Sequence, residues 1–161
     1  MSNIRIRPGV EEDIPAILAL IQALAEYEKA RPGDVPVDAA ALRESLFGAR
    51  PAAETLLAEV DGETIGLALF FHNFSTWQGR RGLYLEDLFV RPAMRGRGIG
   101  KALLRELARI AVERGCARME WAVLDWNTPS IDFYRSLGAV PMEEWTIFRL
   151  TAPAIARLAG G

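Results

Sequence analysis

One cysteine, Cys116, and one histidine, His72, are all that the 161 residues supply of the two side chains that most often build structural metal sites. An internal disulfide needs two cysteines, and the common zinc spacings need several Cys and His together, so both scaffolds are excluded. Surplus charge is missing too: 19 Lys and Arg stand against 21 Asp and Glu, a net charge of -2, where a general nucleic-acid binder carries a basic excess. The longest apolar run, from Ile65 to Phe71 with Gly66 inside it, is far short of the ~20 residues a membrane span requires. The start, Ile4-Arg5-Ile6-Arg7-Pro8, alternates like a strand and not like a secretory leader. The expectation is one soluble, cytoplasmic domain over residues 1–161, with no metal, nucleic-acid or membrane partner.

What is present is alternation between strand and helix periods, which points to an α/β or α+β domain. Ile14, Ile17, Leu18, Ile21, Leu24 and Ala25 recur at helical spacing behind Glu11-Glu12-Asp13, acids suited to a positive helix start. Asp38 introduces a second helix through Leu42 and Leu46. Thr55–Val60, the turn Asp61-Gly62 and Ile65–Phe74 read as a hairpin, since Asp-Gly tolerates the positive φ angles of a tight turn. A strand over Leu83–Val90 follows, then a helix with Ile99, Leu103, Leu107, Ile110 and Ala111 on one face, closed by Gly115. Arg118–Leu124 reads as a strand, Pro129–Leu137 as a helix, and Ala139–Met142 and Trp145–Leu150 as two closing strands.

Between the Leu83–Val90 strand and the long helix lies Arg95-Gly96-Arg97-Gly98-Ile99-Gly100-Lys101. A glycine-rich turn entering a helix offers outward backbone N–H groups and the positive end of the helix dipole, an anion site by construction. A Walker loop would place glycine where Arg95 stands and Ser or Thr where Ala102 stands. The dinucleotide fingerprint fails as well, because Gly96, Gly98 and Gly100 are evenly spaced. The plain alternative is a flexible turn with solvated arginines.

The loop resembles the Arg/Gln-x-x-Gly-x-Gly/Ala loop of the GCN5-related N-acetyltransferase (GNAT) family. Tyr84-Leu85-Glu86-Asp87-Leu88-Phe89-Val90, Leu124-Asp125-Trp126-Asn127-Thr128-Pro129, Phe133-Tyr134 and Gly138-Ala139 fall in that family's order. With Glu143-Glu144-Trp145 they resemble its diamine (spermidine/spermine) and thialysine branch, over nearly the whole chain. The resemblance implies a mixed, mostly antiparallel sheet of six or seven strands with four flanking helices, acetyl-CoA as cosubstrate, and a homodimer. It implies that Arg95, Gly96, Arg97, Gly98, Ile99, Gly100 and Lys101 cradle the pyrophosphate. Backbone groups of Leu88, Phe89 and Val90, with Asn127, Thr128 and Ser130, would hold the amide-bearing arm of the coenzyme.

The chemistry is transfer of an acetyl group to a primary amine, which is protonated at neutral pH with a pKa near ~10 and must lose that proton first. The resemblance implies Glu86 as general base, directly or through water, and Tyr134 as proton donor to the leaving thiolate. Strand alternation would send Glu86 and Asp87 to opposite faces. The blander readings are an ion pair for Glu86, a core ring for Tyr134 and a helix cap for Asn127. Tyr27, Glu28, Trp77, Trp121 and Glu144 match substrate-lining places, where acids and rings attract a cation. Ser75-Thr76 before Trp77 and Arg80-Arg81 after it disfavour a long polycation, leaving a short amine or a lysine-like amino acid equally open. Two rivals stand beside small-amine transfer: a protein or peptide N-acetyltransferase of the same fold, and a non-catalytic coenzyme-A-binding sensor.

Overall fold

The computed structural model describes residues 3–160. The chain forms two compact units, Met1–Ala122 and Val123–Gly161. The first is built from β1 (Ile4–Pro8), α1 (Ile14–Tyr27), α2 (Ala39–Phe47), β2 (Glu54–Val60), β3 (Glu63–Ser75), β4 (Arg80–Val90), α3 (Ile99–Glu113) and β5 (Met119–Trp121). Its sheet has the order β1-β2-β3-β4-β5, antiparallel throughout except for the parallel pair β4 and β5. A mixed, mostly antiparallel sheet with helices is therefore the architecture, and the described residues form five strands and five helices in place of the six or seven and four expected.

Local chemistry explains the elements. Asp61 and Gly62 both take positive φ, 51° and 84°, and the two-residue turn they form joins β2 to β3. The Asp38 carboxylate accepts from the Ala41 N–H at 2.8 Å and caps α2. Ile14, Ile17 and Leu20 of α1 and Leu42 and Leu46 of α2 pack on Leu57, Leu67 and Phe89, forming the core on one face of the sheet. Their burial, essentially complete for Ile17, Leu20, Leu57 and Leu67, is the main favourable term, about 1.5–3 kcal/mol for each large apolar side chain. The opposite face receives α3 through Leu103 and Leu107. A Cβ at Gly66 would sit 3.0 Å from the Ala58 Cβ and 3.4 Å from Leu103, so glycine there lets the helix lie close.

The far end of α3 is tied to the sheet by polar contacts. Arg114 follows its last turn and donates to both carboxylate oxygens of Glu54 on β2, at 2.6 and 2.9 Å, holding Glu54 below the usual carboxylate range. Its Nη1 also lies 2.9 Å from His72 Nε2. A guanidinium can only donate, so Nε2 accepts and the proton sits on Nδ1, 3.0 Å from the Gly82 carbonyl. The chain's one histidine thus bridges β3, β4 and the end of α3.

The second unit contains α4 (Thr128–Ser136) and α5 (Ala152–Leu158). The two closing strands expected at Ala139–Met142 and Trp145–Leu150 do not form. A turn between them does, with the Trp145 N–H donating to the Met142 carbonyl at 3.2 Å, but no ladder follows it. Val140, Ile147 and Phe148 are 77%, 77% and 92% exposed. Alternating apolar residues make a strand only where another strand takes up the backbone hydrogen bonds, and a sequence pattern does not supply that partner.

At the start of the first unit, Arg7 donates to both Asp13 oxygens at 2.7 and 2.9 Å and to Glu59 Oε1 at 2.6 Å, joining β1, β2 and the entry to α1. Arg7 holds the Asp13 carboxyl below its ordinary range, aided by the Val10 N–H. A depressed carboxyl contributes stability above its unfolded pKa and loses it as pH falls through the folded value. Asp13→Asn is expected to lower unfolding free energy by about 1–3 kcal/mol at pH 7 and to flatten the loss between pH 4 and the depressed value. Urea unfolding across that range checks both.

Candidate active site

The register of β3 against β4 breaks at one place. Leu69 faces Asp87 and Phe70 faces Leu85, so Glu86 is an extra residue with no partner across β3. A bulge of this kind re-aims side chains: Leu85 and Asp87, which uninterrupted alternation would put on one face, fall on opposite faces. Leu69, Phe89 and Leu67 belong to the face under α1 and α2, and Asp87 joins them by its pairing with Leu69. Leu85, paired with Phe70, turns to the other face. Glu86 is exposed and Asp87 half-buried.

Three carboxylates gather here. Burial, then Glu86, then Glu28 push Asp87 up to about 6. Glu28, the residue that ends α1, is pushed up by burial and then by Glu86. Asp87 is not among the candidate residues that the sequence pointed to. Among the described residues no cluster of His, Cys, Asp and Glu has the geometry to hold a metal ion.

Beside the acids the sheet opens. β5 pairs with β4 only from Leu83 to Leu85, through Met119 to Trp121. Among the described residues no ladder on the β5 side continues through Glu86–Val90, and a strand edge of this kind can be extended by another amide-bearing chain. Leu88, Phe89 and Val90 lie on that stretch. Trp121 pairs with Leu85 at the last rung, one residue before Glu86.

The loop after β4 bends through a short 3-10 turn, Pro92–Met94, into α3. Gly96 and Gly98 both have φ of 77°, in the left-handed region, and Gly98 is the N-cap of α3. The first helical bond runs from the Ala102 N–H to the Gly98 carbonyl, so the N–H groups of Ile99, Gly100 and Lys101 have no acceptor within the helix. Arg97 and Lys101 are exposed beside them, whereas Ile99 is buried as an anchor for the helix. Arg95 takes another course: its Cζ lies 4.4 Å over the Tyr27 ring and 5.6 Å from the Phe89 ring centre, and its Nε donates to the Val90 carbonyl at 3.1 Å.

Tyr27, through Arg95, and Glu28, through Glu86 and Asp87, are therefore drawn to the half of β4 that follows Leu85, whereas Trp121 pairs with Leu85 at its margin. Trp77 does not join them in this unit: it sits in the β3–β4 turn, 87% exposed, roughly 20 Å from Glu86 along the strand. In the second unit Asn127 caps α4, its side chain accepting from the Ser130 N–H at 3.4 Å, as the helix-cap reading expects. Thr128 and Ser130 share that first turn. Tyr134 lies half-buried on the same helix, its ring 5.7 Å from that of Phe133, and Glu144 is exposed in the turn after it.

The acetyltransferase (GNAT) family pattern matches residues 19–139. The chain belongs to this family. It is 40% identical over 171 aligned positions to a thialysine N-epsilon-acetyltransferase of Bos taurus, with 99% of both chains covered. An integron cassette protein from V. cholerae superimposes with a TM-score of 0.81 at 24% identity, covering 98% of both chains. An aminoglycoside N-acetyltransferase in complex with CoA superimposes with a TM-score of 0.75 at 24% identity, covering 94% of this chain and 97% of that one. The structural likenesses establish the fold; the family match and the sequence relative establish an acetyltransferase.

Two consequences can be measured. Gly98→Ala puts a side chain at positive φ, whereas Gly100 has ordinary φ and open space where a Cβ would go. The first is expected to cost about 1–2 kcal/mol and the second to be neutral or slightly stabilising, a difference read from thermal unfolding. Asp87 has a raised pKa, so the folded state favours its neutral form; stability is greatest at low pH and declines as pH rises from the unfolded value to about 6. Asp87→Asn is expected to gain about 1–3 kcal/mol at pH 7.5 and little at pH 3.5, by calorimetry at the two pH values.

Proposed function

We propose that the protein transfers the acetyl group of acetyl-CoA to the primary amine of a small lysine-like amino acid or short diamine. The observation that carries this reading is the meeting of Glu28, Glu86 and Asp87 beside the open edge of β4. A coenzyme with a pyrophosphate and an amide-bearing arm fits what lies next to the acids. The N–H groups at the start of α3, with Arg97 and Lys101, suit the phosphates, and Leu88–Val90 suit the amides. Asn127, Thr128 and Ser130, at the start of α4, are assigned to the same arm. Acetyl-CoA, when bound, supplies an acetyl thioester and no redox or metal chemistry.

The chain's own groups manage the protons. The carboxylates attract the ammonium and the Tyr27 ring offers it a π face. Glu86 accepts the ammonium proton, directly or through water, leaving a lone pair on nitrogen. The C–N bond forms, the C–S bond breaks, Tyr134 gives its phenolic proton to the thiolate, and the extra proton on the acylated nitrogen is lost to water as the phenol is reprotonated from solvent. The single histidine is engaged by Arg114 and Gly82, so a carboxylate and a phenol are the groups assigned to this exchange. The relation to a thialysine acetyltransferase and Arg80-Arg81 near the hairpin turn both favour a compact acceptor over a long polyamine.

Initial rates with thialysine, ornithine, putrescine, spermidine and a peptide N-terminus, followed by thiol release, test the assignment. Turnover is expected on the short amines, and activity confined to the peptide would overturn it. Coenzyme binding by calorimetry without turnover on any amine would instead favour the sensor. Glu86→Gln is expected to lower kcat by about 100-fold or more and Tyr134→Phe by about 10–100-fold, with loss of the corresponding limb of the pH–rate profile. Full activity across pH in either variant removes that residue from the mechanism.

A further inference from the structure

Arg95 stands at the head of the glycine loop, where a cation would ordinarily be assigned to the coenzyme phosphates. Its side chain turns the other way. The guanidinium lies 4.4 Å over the Tyr27 ring and 5.6 Å from the Phe89 ring, and Nε is bonded to the Val90 carbonyl. It therefore spans the last residue of α1 and the last two residues of β4.

The placement has a direction. Tyr27 ends α1 and Glu28 follows it, and the Glu28 carboxylate is one of the groups that act on Asp87. The residues after α1 are not helical; Lys29 already has a φ of 61°. The chain that carries Tyr27 and Glu28 is thus the last turn of a helix, closed by the Ala30 N–H on the Ala25 carbonyl at 2.9 Å, and a stacking contact there fixes where the helix end sits on β4. Cation–π attraction is attractive over either face of the ring and needs no exact hydrogen-bond geometry, so it suits a helix end.

We propose that Arg95 is a positioning residue for the amine: it holds Tyr27, and through it Glu28, against the carboxylate site, and the phosphates are left to Arg97, Lys101 and the α3 N–H groups. The same contact joins the two substrates. The residue that fixes the end of α1 is the first of the loop that receives the coenzyme, so an ordered loop also presents an ordered amine site. This inference rests on the proposed amine acetyl transfer and specifies which substrate Arg95 serves.

Kinetics with thialysine and acetyl-CoA varied separately distinguish the roles. Arg95→Gln keeps an amide donor for Val90 and removes the cation. It is expected to raise the thialysine KM about threefold to tenfold while the acetyl-CoA KM stays within about twofold. Tyr27→Leu should do the same, and Tyr27→Phe, which keeps a ring, should raise the thialysine KM less than Tyr27→Leu. The double variant Arg95→Gln/Tyr27→Leu should be little worse than the poorer single variant, because both remove one shared contact. A raised acetyl-CoA KM with an unchanged thialysine KM, or additive effects of the two changes, overturns the proposal. Coenzyme A titration by calorimetry separates the two readings. If the parent protein turns over no amine, the proposed function fails, and Arg95→Gln still decides the role of Arg95: near-parental affinity supports it and a tenfold loss overturns it.

Discussion

Glu86 has no partner across β3, and that one unmatched residue decides which face of the sheet the two ends of β4 present. Without the bulge, Leu85 and Asp87 would share a face and Glu86 would point away from both. With it, Asp87 turns under α1 beside Phe89, while Leu85 turns to the other side. The bulge also marks the place where β5 stops pairing, so the acids and the open strand edge arrive together. A regular antiparallel strand would have satisfied its hydrogen bonds and buried its apolar residues more fully. The like charges that Glu28, Glu86 and Asp87 bring to this stretch are a strain the fold carries at pH 7.

That strain is offset by ordinary packing elsewhere. α1 and α2 seal one face of the sheet with aliphatic side chains and α3 the other. The helix that presents the glycine loop is thus anchored by Ile99, Leu103 and Leu107, all essentially buried. Stability and chemistry are divided along the same strand: the Leu83–Leu85 half of β4 is paired on both sides, and the half from Glu86 onward faces an open edge.

Much of this was legible in the residues. The apolar spacing of α1 and α3, the Asp61-Gly62 turn, the Asp38 cap and the glycine loop each express a local preference that the tertiary structure respects. The order of motifs pointed to the family and to Glu86. The bulge at Glu86 was not legible, because it depends on how two strands pair and leaves no mark in the alternation of one. The closing strands failed for a related reason. Val140, Ile147 and Phe148 have the composition of a strand, but a strand exists only with its neighbour. Arg95 was legible as a cation at a phosphate loop, yet where a long side chain turns depends on rings 68 and six residues away, Tyr27 and Phe89.

The clasp formed by Arg114, Glu54 and His72 has a mechanical meaning for the opposite end of α3. Fifteen helical residues make a stiff rod about 22 Å long. Fastening one tip of such a rod to two strands removes its freedom to slide or roll along the sheet, and the other tip, where Gly98 starts the helix, is fixed with it. A salt bridge at one end of α3 thereby sets the height and rotation at which the unbonded N–H groups at its other end stand above the sheet.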